Sequence, residues 1–178
     1  MKEGALMRKK SLTLVVAVLM LAFSACMAAA QQKRGPSTPE ERRRAVEIAT
    51  LLENDPLNKD AKKMSQALLY FLIEAPDIHV PICTDVLGDY SKIKGDYAPT
   101  ITAQLTFSTA KFIIEHPEQE SDKNQVYLAG VEGFLRAYQN IKKAKPKVEI
   151  KPLEALLVKQ QAGQLADFVK EAAASGCK

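Results

Sequence analysis

The sequence predicts an all-α protein: a single helical bundle of about five to six helices, stapled by one disulfide. Three observations carry that prediction. The chain has 178 residues, 47% hydrophobic and 26% charged, the balance of a globular protein with a core of its own. Apolar residues recur at helical spacing in successive segments that prolines separate. Finally, Cys83 and Cys177 form an even pair once Cys26 is assigned to the leading segment.

The first thirty residues set the compartment. Arg8, Lys9 and Lys10 precede a charge-free stretch from Ser11 to Ala25 rich in Leu, Val and Met, and Ala28 to Ala30 supply a small-x-small site. This is the order of a signal peptide, residues 1-30, with cleavage leaving Gln31 first and the mature protein periplasmic or secreted. Phe23-Ser24-Ala25-Cys26 resembles the lipobox of bacterial lipoproteins, which implies a second form, lipidated at Cys26 and membrane-anchored. Contact with a membrane is expected only through this segment or that lipid. The formal net charge of +4 falls to +1 without it, because Lys2, Arg8, Lys9 and Lys10 face only Glu3 there. Nothing in the remaining charge directs the domain to nucleic acid. In an oxidising compartment, Cys83 and Cys177 are expected to form a disulfide.

Residues 31-37 are polar with Gly35-Pro36 and form a flexible tether; 38-178 is the helical domain. Ser37 or Thr38 caps the first helix, with Pro39 in its first turn, Glu40 and Glu41 near its positive end, and Ala45, Ile48, Ala49 and Leu52 as its apolar stripe. After the turn Asn54 to Asn58, a second helix runs from about Lys59 to Glu74. Its unbroken apolar run from Leu68 to Ile73 predicts the bundle centre. The join Leu51 to Asn58 with Ala61 resembles that of tetratricopeptide repeats, but no second copy follows near the required spacing, so a repeat array is excluded.

Pro76 and Pro81 bracket an extended link, a short helix around Cys83 ends near Gly88, and Asp89 to Pro99 reads as an ordered loop. Thr100 to Glu115 has strand-forming residues, yet its length without a turn signal predicts a helix ended by Pro117. Ser121-Asp122 caps the next helix, to about Lys143; Lys142 to Lys151 is a basic, extended linker, and a last helix spans about Leu153 to Ala174.

Chemistry is sparse. His79 and His116 each stand at a proline-bounded helix end; Glu115-His116 with Glu118 and Glu120 could offer metal ligands, but adjacent residues on a helix end do not point together as His-x-x-x-His does. No phosphate loop, dinucleotide fingerprint or serine elbow is present, so no cofactor and no metal are expected. The expected function is a non-catalytic binding or structural role in the envelope, toward an envelope protein or a small ligand. The alternative is a small hydrolase or metal-dependent enzyme whose Glu74, Asp77, His79, Glu115 and His116 converge. Gly130 and Gly133 inside a helix ask for a reason, since each costs about 1 kcal/mol relative to alanine. Close approach of a neighbouring helix is one reason; a ligand or partner surface formed with Tyr127, Phe134 and Tyr138 is the other.

Overall fold

The computed structural model describes residues 34-177; the segment expected as a signal peptide, Cys26, and the expected tether up to residue 33 lie outside them. Among the described residues six α-helices follow in order: α1 Pro39–Asn54, α2 Ala61–Glu74, α3 Ala98–Glu115, α4 Lys123–Ala144, α5 Lys151–Gln161 and α6 Leu165–Gly176. Three single 3-10 turns, Thr84–Leu87, Tyr90–Lys92 and Pro117–Gln119, sit in the links. The threonine-rich segment is helical, as its length predicts.

Local signals account for the ends. The Thr38 hydroxyl accepts from the Glu41 N–H (3.2 Å) and the Glu41 carboxylate accepts from the Thr38 N–H (2.8 Å), a reciprocal cap worth about 1 kcal/mol. Asp122 caps α4 through the N–H groups of Asn124 and Gln125. Gly88, at φ +70°, takes the left-handed conformation that ends the turn after Cys83. The segment expected as one last helix is two. Gly163, also at φ +70°, breaks it, and α6 folds back onto α4. That reversal brings Cys177 to Cys83, where the two are joined with Cα atoms 5.6 Å apart across 94 residues of chain.

The helix at the centre is α4, not α2. α4 packs along α3 and touches α1, α5 and α6, and ten of its residues are buried, among them Val126, Val131, Phe134 and Ile141. α2 buries only Ala61 and Leu68 and leaves Leu69, Tyr70 and Ile73 47%, 68% and 70% exposed. The reason is a shortage of neighbours: among the described residues α2 packs mainly against α1 and α3, and these cover only one side of its apolar run. Two cores result. The larger joins α3 to α6 and the link after α2; the smaller joins α1 and α2 to Phe107 of α3.

Candidate functional site

The chemistry-bearing feature of the bundle is a buried carboxylate where three helices meet. Glu53 lies in the last turn of α1, four residues after Ala49 and eight after Ala45, and so shares their inward stripe. It is 2% exposed. A carboxylate taken out of water is costly unless it is paired and hydrogen-bonded, and Glu53 is both. Its Oε1 accepts from Ser108 Oγ at 2.8 Å; its Oε2 accepts from Arg136 Nε at 3.1 Å and Lys111 Nζ at 3.4 Å. Behind it, Gln104 Nε2 donates to Ser108 Oγ (2.9 Å) and to the Ala49 carbonyl (3.2 Å), and Asn140 Nδ2 donates to the Glu53 carbonyl (2.9 Å). This polar seam ties α1 to α3 and α4. Among the described residues no buried side-chain nitrogen or oxygen lacks a partner.

Two glycines make the seam possible. A β-carbon at Gly133 would stand 2.0 Å from Ser108 Oγ and 2.7 Å from Glu53 Oε1, and one at Gly130 would stand 2.2 Å from Thr109 Oγ1. Close helix approach is therefore their role. The surface expected around them is corrected accordingly: Tyr127, Gly130, Gly133, Phe134 and Tyr138 are all buried, because their face of α4 is covered by the rest of the bundle. Tyr138 spends its hydroxyl inside the fold, donating to Glu154 and accepting from the Ile150 N–H at 2.9 Å.

On its open side the seam borders a cleft of about 280 Å³ between α3 and α4. Phe112, Leu128 and Ala129 give it an apolar wall, and Lys111, Arg136, Glu115 and Glu132 give it charge. Arg136 is held by its Nε on Glu53, with its Nη1 3.9 Å from Glu132, and its side chain remains 43% exposed. Glu53, its oxygens occupied by three donors, holds Lys111 and Arg136 in place. Chemically, the cleft offers a positioned guanidinium and ammonium beside an apolar wall.

Of Glu74, Asp77, His79, Glu115 and His116, only Glu115 lines this cleft. Glu74 and His79 are exposed, Asp77 binds Ser37 and Arg42, and His116 packs against the Phe112 ring (4.8 Å between centroids) with its Nδ1 3.7 Å from Glu118. Among the described residues no three His, Cys, Asp or Glu side chains group as metal ligands, and no helix is long and apolar enough to cross a membrane. The sequence did hold a signal for the seam. Glu53 occupies an apolar-stripe position of α1, and Gln104, Ser108 and Lys111 recur at i, i+4, i+7 on α3, a polar row facing it. Comparison with protein-family models, with curated proteins and with solved structures gives no match to this chain.

Proposed function

We propose that the chain is an exported, envelope-associated binding domain without catalytic activity, and that it binds through the cleft between α3 and α4. The observation that supports this reading is the cleft's floor, where Glu53 holds Lys111 and Arg136 in fixed positions beside Phe112 and Leu128. A carboxylate with an apolar body matches that pairing, the carboxylate meeting the remaining donors of Arg136 and the body lying on the wall. Export is supported by the charged and then apolar order of residues 8-30 and by the single cysteine pair left after them.

Two measurements test the reading. Titration of the ¹⁵N-labelled protein with hexanoate and with N-acetylphenylalanine is expected to shift the amides of Phe112, Leu128 and Ala129, and Arg136→Ala is expected to abolish the shifts while the protein stays folded. Unmoved amides with both probes, or shifts that survive Arg136→Ala, would reject the cleft as the binding site. Intact mass of protein from the native host should show a start at Gln31 or an acylated Cys26; unprocessed cytosolic protein would reject export.

A further inference from the structure

We infer that the outer face of α2 lies on an anionic lipid surface to which the chain's own N-terminal segment is attached. The inference rests on the form of the exported reading above that is lipidated at Cys26, is overturned by a mature start at Gln31, and is independent of the cleft.

Leu69, Tyr70 and Ile73 stand at i, i+1 and i+4, on one face of α2, and are half to seven-tenths exposed while the opposite face packs on α1 and α3. Tyr70 joins an apolar ring to a polar tip, the combination that suits a membrane–water interface. Lys62 and Lys63, both exposed, open the same helix, and no acidic residue stands between them and Glu74. An amphipathic helix with lysines beside an apolar row is the form that lies in the plane of an anionic headgroup layer.

The clasp at the domain's entrance supplies the second observation. The Ser37 N–H and hydroxyl both donate to Asp77, each at 2.8 Å, and Arg42 donates to Asp77 at 2.7 Å and to Ser37 Oγ at 2.9 Å. Asp77 follows Ile73 by four residues, so the chain preceding Ser37 enters the domain beside the exposed apolar end of α2. That preceding chain contains the uncharged run Ser11 to Ala30 and Cys26. Ten residues separate Cys26 from Ser37, and ten residues span at most about 36 Å when fully extended. An acyl group on Cys26 would hold the α2 face within that distance of the bilayer.

Size decides between this occupant and a second copy of the chain. Three side chains expose roughly a few hundred Å², short of the roughly 800 Å² per partner of a stable protein interface. A tethered face needs no such area, because the tether keeps it at high local concentration over the surface.

The chain has no tryptophan, so an introduced one reports its own position. The full chain carrying Tyr70→Trp is reconstituted into phosphatidylethanolamine and phosphatidylglycerol vesicles, as is Val158→Trp, whose site on α5 is 64% exposed. Acyl-brominated lipids are expected to quench Tyr70→Trp at least threefold more than Val158→Trp, and Lys62→Glu/Lys63→Glu is expected to reduce that difference. Equal quenching in chains that float with the vesicles overturns the proposal, as does a chain that does not float. Emission from Tyr70→Trp that shifts to the blue with protein concentration in lipid-free solution also overturns it and assigns the face to a second copy. Failure of export itself reads separately, as unprocessed mass from the native host.

Discussion

Gly133 of α4 faces Ser108 of α3 so closely that a β-carbon on the glycine would stand 2.0 Å from the serine Oγ and 2.3 Å from its Cβ. The Oγ can turn away only by abandoning Glu53, and the Cβ is fixed to the backbone, so the helices must also separate. Gly133→Ala gains about 1 kcal/mol of helix propensity, but overpacking and a broken buried hydrogen bond cost more. The expected net loss is about 3 kcal/mol in urea unfolding. Gly35→Ala, where nothing lies within 4 Å, is the control and should leave the midpoint nearly unchanged. Equal behaviour of the two variants would refute close approach as the reason for Gly133.

Glu53→Gln keeps the shape of the side chain and removes its charge. Lys111 and Arg136 then lose their common anion. Breaking a buried ion pair from one side costs about 3–5 kcal/mol, and the partial exposure of Arg136 reduces this to about 2 kcal/mol here. A double-mutant cycle with Arg136→Gln, read by urea unfolding, should return a coupling of about 1 kcal/mol or more. Strict additivity would mean that the 3.1 Å contact carries no energy.

What was legible in the sequence follows the range of the interaction. The cap, read as Ser37 or Thr38 with Pro39 in the first turn, and the stop near Gly88 are decided within one turn of chain, and the structure places the cap at Thr38 and the stop at Gly88. The joining of Cys83 and Cys177 was legible by elimination, once Cys26 was assigned to the leading segment. Burial of α2 was not, because Leu68 to Ile73 reads alike whether or not neighbours exist to cover it. Glu53 escaped for the converse reason: its surroundings come from Ser108 and Arg136, 55 and 83 residues away. The glycines of α4 drew attention correctly, but the sequence could not say whether a helix or a ligand lay against them.

Tyr138 should be the last tyrosine to ionise. Burial, then the hydrogen bond to Glu154, pushes its phenol well above the ordinary value near 10. A group whose pKa is raised by folding stabilises the fold fully below its unfolded value and loses that contribution as pH climbs through the folded one. Absorbance titration at 295 nm should therefore show one of the five tyrosines delayed, ionising only as the protein unfolds in alkali. In Tyr138→Phe the delayed step disappears and the Ile150 N–H loses its acceptor, at a cost of about 1–3 kcal/mol. Five tyrosines titrating together near pH 10 would contradict this.

The Cys83–Cys177 link closes a loop that holds α3 to α6 and leaves α1 and α2 outside it. In the chain-entropy account a loop this long adds up to about 4–5 kcal/mol by restricting the unfolded state. Cys83→Ser/Cys177→Ser should then melt roughly 10 °C lower, given about 2–4 °C per kcal/mol at this size. Hydrogen exchange in the double variant should rise first in α6 and in the Thr84–Leu87 turn, which the link holds together. An unchanged melting temperature would mean that α6 is held by Val169 and Leu165 alone.

The Ser37–Asp77 clasp has a defined acid limit. The Ser37 backbone N–H, then the Arg42 guanidinium, hold the Asp77 carboxyl well below the ordinary carboxylate range. A depressed pKa contributes stability above the unfolded value, near 3.9, and loses it as pH falls through the folded one. The clasp should thus stay closed from pH 7 to about pH 4. Asp77→Asn removes the charge at every pH and frees the entrance of α1 while the core is untouched. Limited trypsin digestion reads this directly: cleavage after Arg34 and Arg42 should be slow in the parent protein between pH 6 and 8 and at least tenfold faster in Asp77→Asn. Equal rates would place the hold on the α1 entrance elsewhere, in the Thr38–Glu41 cap.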